Sequence, residues 1–198
     1  MNNKRLHLAT KNQHKLQEFR EILKPLGYVV IGLDNIAGYN VVEDGDTFAA
    51  NAIKKAQVLS DITKEPAIAD DSGLVVDALD GAPGVNSARF SSVSGSQQDA
   101  ANRAKLLGEL THIANDHRSA RFICAIALVI PGSLVKVVEG RCEGMIAYDE
   151  RGEHGFGYDP IFIPQNMQKT MAELDANEKH AISHRGRAIA KLLEILKY

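Results

Sequence analysis

The sequence predicts an α/β protein built on a mixed β-sheet, and three observations carry that expectation. Strand-like apolar runs alternate with helix-spaced apolar residues through the first half of the chain. Strand-like runs then follow one another around the turn Pro131-Gly132, as a hairpin does. Between the two regions, Phe122–Ile130 is apolar throughout, which marks a strand buried on both faces at the sheet centre.

The elements follow in order. Leu6–Ala9 reads as a strand with Thr10-Lys11-Asn12 as its exit loop. Leu16, Phe19, Ile22 or Leu23, and Leu26 are spaced as one face of a helix that Pro25 and Gly27 end. Tyr28–Leu33 is a second strand. Glu43–Thr47 is an acidic turn leading to a helix, with Asp46 or Thr47 as N-cap and Phe48, Ala52, Ala56 and Leu59 facing inward. Asn51, Lys54 and Lys55 fall off that stripe, on an expected solvated face. Ala67–Ala69 ends a buried strand, Ser72-Gly73 turns the chain, and Leu74–Leu79 pairs as a further strand. After the forced turn Gly81–Gly84, Ser96–Asp99 fits a capping box before a helix with Ala100, Ala104, Leu107 and Leu110 inward. Leu134–Glu139 returns antiparallel to the central strand, and Arg141–Ala147 adds another. Asp175–Lys197 reads as one helix, capped by Asp175 and Glu178, with Ala181, Ala188, Ile189, Leu192 and Leu196 inward.

Composition narrows the function classes. With 198 residues, 44% hydrophobic and 24% charged, the chain can build a sizeable core. A net charge of −2 gives no field for a polyanion, so no nucleic-acid partner is expected. Cys124 and Cys142 form neither a disulfide framework nor a metal spacing. The start, MNNKRLHLAT, has no signal-peptide core and no apolar run approaches ~18 residues, so a cytoplasmic protein without membrane contact is expected.

Three stretches carry chemistry. In Pro66–Phe90, the adjacent Asp70 and Asp71 follow a strand, where open α/β sheets bind ligands. Two neighbouring carboxylates repel unless a cation or proton offsets them, and Mg²⁺ is the natural partner for such oxygens; the same residues also suit an ordinary turn. Thr10–Lys15 places Thr10, Asn12, Lys15 and free backbone N–H groups at a helix start, either a phosphate cradle or a plain cap with a surface lysine. Gly155-Phe156-Gly157-Tyr158-Asp159-Pro160 can expose a ring for stacking or bury Phe156 in a tight turn. His180 and His184 are spaced i,i+4, but HAISH lacks the metalloprotease Glu, so no zinc is expected there.

Five segments together, LATKNQHKLQEF, EDGDTFAANAIKKA, AIADDSGLVVDALDGAPGVNSARF, GFGYDPIF and EKHAISHRGRA, resemble the inosine/xanthosine triphosphate pyrophosphatases in order over nearly the whole chain. The resemblance implies a single domain over 1–198 and an elongated two-lobed fold. It also implies a long central mixed sheet, with the active site in the cleft between lobes. The implied reaction is Mg²⁺-dependent hydrolysis of ITP, dITP or XTP to the monophosphate and pyrophosphate, by a cytoplasmic homodimer that cleanses the nucleotide pool. It further implies that Thr10, Lys11, Asn12, Gln13, His14 and Lys15 hold the triphosphate with Lys55, and that Glu43, Asp70 and Asp71 form the metal site. Asp71 would accept the proton of the attacking water, and Ser72 would touch substrate. Phe156, Gly157, Tyr158, Asp159, Lys179, His184 and Arg185 would line the base site, where His184 or Arg185 can donate to a 6-oxo group. The alternatives are a related pyrophosphatase for pyrimidine or modified nucleotides, and a non-catalytic nucleotide-binding module.

Overall fold

The structure is a computed structural model that describes residues 4–34, 36–133 and 135–196. Its six strands form one sheet in the order β2-β1-β3-β4-β5-β6. They are β1 Lys4–Leu8, β2 Tyr28–Ile31, β3 Ala67–Val76, β4 Ser119–Val129, β5 Lys136–Ile146 and β6 Phe162–Pro164. β1 pairs parallel with both β2 and β3, whereas β5 and β6 are antiparallel, so the sheet is mixed as expected. The apolar run of β4 sits beside β3 at the sheet centre. Five helices accompany the strands: α1 Gln13–Leu23, α2 Phe48–Thr63, α3 Gln98–Glu109, α4 Ala176–Ile182 and α5 His184–Leu196.

Two compact units share these elements. The first comprises Met1–Asp71, Cys124–Gly140 and Arg185–Tyr198; the second comprises Ser72–Ile123 and Arg141–His184. In the first, Leu16, Phe19 and Leu23 of α1 and Ala188, Ile189 and Leu192 of α5 pack on Leu6, Leu8, Ile68, Cys124, Ile126 and Leu128 of the sheet. This is the amphipathic face that the three- and four-residue spacing predicts. In the second, Leu74, Leu106, Leu110, Phe122, Ile146, Tyr158, Phe162 and Met171 form a separate core. The buried Arg118 is satisfied there by four carbonyls, those of Leu110, Ile113, Ile146 and Ala147, instead of an acid.

Several boundaries differ from the sequence expectation. Ser72-Gly73 does not turn the chain; β3 runs unbroken through both acids, so they lie within a strand and beyond the last pairing of β1, Leu8 with Ile68. The two runs flanking Gly140 are likewise one strand, β5; Leu134, the proposed start of the first, lies outside the described residues. β2 stops at Ile31, two residues short of Leu33. Leu26 is exposed, because the helix tightens to a 3₁₀ turn over Lys24–Leu26 and carries it off the apolar face. The helix from Asp175 is two helices, because Ser183 is extended (ψ 153°) and ends α4; Ala181 is exposed, and Lys197 lies outside the described residues. Leu107 and Leu110 face the core as expected, but Ala104 is exposed, Asn102 and Leu106 are buried as well, and the proposed capping box does not form. Asn102 turns inward because the Ser87 and Ala88 carbonyls and the Ser91 N–H satisfy its amide.

Candidate active site

In the first unit, three segments deliver polar side chains to the acids of β3. The first is the turn between β1 and α1. Asn12 is the N-cap of α1, its Oδ1 accepting the Lys15 N–H at 3.1 Å, and its own N–H donates to Thr10 Oγ1 at 3.1 Å. That geometry leaves Lys11, Gln13 and His14 exposed at the helix start and sends Lys15 inward, with Nζ 2.9 Å from Asp70 Oδ2.

The second is α2. Thr47 caps it by accepting the Ala50 N–H at 3.1 Å. Of the three residues expected on a solvated face, only Lys54 is exposed, paired with Asp44 at 2.6 Å. Asn51 and Lys55, four residues apart and so one above the other, are only 1% and 7% exposed. Carboxylates draw them in: Lys55 Nζ lies 3.0 Å from Glu43 Oε2 and 3.0 Å from Asp71 Oδ1, while Asn51 Nδ2 donates to Asp71 Oδ2 at 3.1 Å. Asn51 Oδ1 also accepts the Gly45 N–H at 2.8 Å, which fastens the acidic loop carrying Glu43 to the same helix.

The third is α5. Arg185, 2% exposed, places Nη2 3.1 Å from Asp70 Oδ2 and Nη1 on Glu18 of α1. Cys124 Sγ is 3.9 Å from the same Asp70 oxygen. Successive strand residues point to opposite faces. Accordingly, Asp70 meets Lys15 and Arg185 while Asp71 meets Lys55 and Asn51.

The charges separate the two acids chemically. Burial opposes ionisation of Asp70, but Lys15, Arg185 and Lys55 outweigh it and hold the carboxyl far below its ordinary range. Burial raises Asp71 above the usual carboxylate value against the pull of Lys55 and Lys15. Burial also works against ionised Glu43, yet the Lys55 charge and hydrogen bond carry it lower. Lys55 stays an ammonium: burial would deprotonate it, and Asp71, Asp70 and Glu43 together prevent that. Asp70 is thus a fixed structural anion, whereas Asp71 is a carboxylate able to take a proton.

Among the described residues, no three His, Cys, Asp or Glu side chains converge as a ready metal cage. Mg²⁺ does not require one, since it keeps several waters and is held by one or two carboxylates together with substrate phosphates. Glu43 and Asp71, both against one ammonium, are a hard-oxygen pair of that kind.

In the second unit, the glycine loop and α4 form another cluster. Asp159 Oδ2 accepts the Phe156 N–H at 2.9 Å and Lys179 Nζ at 2.8 Å. Lys179 Nζ lies 4.9 Å from the centroid of the half-buried Phe156 ring, within cation–π range. Tyr158 is buried, its hydroxyl donating to the Ser87 carbonyl at 2.8 Å. The His184 ring stacks on Phe122 at 4.7 Å and 12°. Ser72 is half-buried in β3. Residue order had not marked Asn51, Glu18 or Cys124. The signal for Asn51 was its place one helical turn before Lys55.

An α/β sheet with carboxylates and ammonium groups interleaved where β1 ends defines a protein equipped to manage a charged ligand. The chain belongs to the Ham1 family, whose model matches residues 6–195. It is 51% identical over 193 residues to a dITP/XTP pyrophosphatase of Desulforamulus reducens, covering 97% of this chain and 95% of that one. It is 50% identical over 192 residues to a dITP/XTP pyrophosphatase of Bacillus subtilis, covering 96% of each. Its fold matches the solved structure of a HAM1 protein from Coxiella burnetii with a TM-score of 0.87 at 41% identity, covering 98% of each chain.

Proposed function

We propose that this protein hydrolyses non-canonical purine nucleoside triphosphates (dITP, XTP and ITP) to the monophosphate and pyrophosphate, removing them from the nucleotide pool. The observation that carries the reading is the meeting of Glu43 and Asp71 on one ammonium, Lys55 Nζ, at 3.0 Å each. The names of the relatives at about half identity support the choice of substrate.

In this reading, Glu43 and Asp71 hold Mg²⁺, with Asp70 as the buried anion that fixes Lys15. When bound, the ion neutralises phosphoryl oxygens and makes a coordinated water more acidic. Lys15, Lys55 and the start of α1, whose dipole favours an anion, bind the triphosphate. Asp71, beside the position of the ion, orients the attacking water and takes its proton. Phe156 stacks on the base. Lys179, Asp159 and His184 contribute donors and acceptors around it, and a donor at the 6-oxo position disfavours adenine, whose amino group would leave it unpaired. Arg185, fixed on Asp70 and Glu18, acts on the base only if substrate draws it from them.

A homodimer in the cytoplasm belongs to the same reading. Among the described residues, no helix is long and apolar enough to cross a membrane. The deciding experiment measures pyrophosphate release with Mg²⁺ from dITP, XTP and ITP beside ATP and dTTP. Higher kcat/KM for the three oxo-purines is expected. Absent release, or equal turnover of ATP or dTTP, would sink the assignment.

A further inference from the structure

Helix α3 holds the glycine loop through two side chains one turn apart. Asp99 Oδ2 accepts the Gly157 N–H at 2.8 Å, and Arg103 Nη1 donates to the Gly157 carbonyl at 2.9 Å. Arg103 also lies in an ion pair, its Nε 3.0 Å from Glu150 Oε1 without hydrogen-bond alignment, and its side chain is 14% exposed. An aspartate in a first helical turn ordinarily serves its own helix. Here the N-cap position, Gln97, makes no side-chain cap bond, and Asp99 reaches out to another segment.

Around it, the Phe156 carbonyl accepts the Asp159 N–H at 3.2 Å and Tyr158 is buried, but neither bonds the Gly157 N–H or carbonyl. Gly157 has φ +60° and open space where its Cβ would be, so its two hydrogen bonds to α3 are specific holds on its backbone. The residue before it is the ring-bearing Phe156, whose own N–H is taken by Asp159 at 2.9 Å. The two N–H groups flanking the Phe156 Cα are therefore each bound by a carboxylate, one local and one from α3. Both peptide planes are set, and the ring keeps only its side-chain torsions.

We propose that Asp99 and Arg103 are positioning residues for the Phe156 ring, tuning purine affinity without touching the nucleotide. This rests on the reading above that Phe156 stacks on the base. A ring held in its stacking direction before binding spares the ligand the cost of ordering it.

The test combines kinetics with a probe that has no base. Asp99→Ala and Arg103→Ala are expected to raise KM for dITP about tenfold with kcat changed less than about twofold. Asp99→Asn, whose amide oxygen still accepts a hydrogen bond, restores most of the loss. Inorganic tripolyphosphate, as a competitive inhibitor, keeps its wild-type inhibition constant in Asp99→Ala. By NMR, amide exchange at Gly157 quickens in Asp99→Ala but not in Asp99→Asn. Unchanged KM in both alanine variants, unchanged Gly157 exchange, or an equal loss of tripolyphosphate affinity would each overturn the proposal. If Arg103→Ala does not fold, the Asp99 pair decides alone. A wild-type enzyme that releases no pyrophosphate from dITP refutes the functional reading instead, and the exchange measurement still reports on the clamp.

Discussion

Replacing Asp70 with asparagine keeps the side chain's shape and deletes its charge. The carboxylate is 1% exposed, with Lys15 Nζ at 2.9 Å and Arg185 Nη2 at 3.1 Å. In the variant, Arg185 remains buried with Glu18 as its acidic partner, and Lys15 loses the carboxylate it points at. Removing one partner of a buried ion pair costs about 3–5 kcal/mol. A protein of this size loses ~2–4 °C per kcal/mol, so Tm should fall by about 10 °C. The pH dependence has a definite sign. Asp70 is held below its ordinary 3.8, so its contribution is complete above that value and is lost as pH falls through the lower, folded value. Thermal melts without ligand should therefore show a constant gap between wild type and variant from neutral pH to about pH 5, closing on further acidification. A Tm loss of less than about 2 °C at neutral pH, or a gap that widens in acid, would refute the claim that this carboxylate is a fixed structural anion.

Asp71→Asn should lower kcat by about 10²–10⁴-fold while the thermal transition survives, and near wild-type turnover would reject Asp71 as proton acceptor. Chelation with EDTA should abolish pyrophosphate release and added Mg²⁺ should restore it; turnover in chelator would remove the metal from the mechanism. Arg118→Met leaves four carbonyl acceptors without their donor and should cost at least about 2 kcal/mol in urea unfolding. Stability unchanged in that variant would mean water replaces the guanidinium. Gly155→Ala places a Cβ 2.2 Å from Asp159 Oδ2 at φ +78°, so KM for dITP should rise about tenfold. A wild-type KM there would show that the loop's shape is unimportant for binding.

How far residue order revealed the protein depends on what the side chains are satisfied by. The β4 run and the α1 stripe were legible because apolar periodicity reports burial directly. Thr47 and the Asp175–Glu178 pair were legible because caps act locally. The continuity of β3 was not, since Asp-Asp-Ser-Gly has turn chemistry and only distant cations make it bearable inside a strand. Lys55 and Asn51 look solvated by spacing alone; their burial depends on Asp71, 16 and 20 residues later. The burial of Asn102 on α3 was hidden for the same reason, because the residue is polar and its carbonyl partners sit 14 and 15 residues earlier. Of the site residues, the acids stood out as residues, whereas the roles of Phe156 and Lys179 came from the family resemblance.

The pairing of Asp70 with Arg185 spans 115 positions. Of the two cations paired with Asp70, Lys15 is made before the acid and Arg185 long after it. Until α5 packs, Asp70 has Lys15 but not Arg185 as an ion-pair partner, and the hydrophobic seat for Ala188, Ile189 and Leu192 stays open. The first unit, which draws on three separate segments, therefore stays incomplete until α5 is made. Packing of α5 is the step that seals it, and a chain cut shortly before Arg185 would yield a product that cannot close.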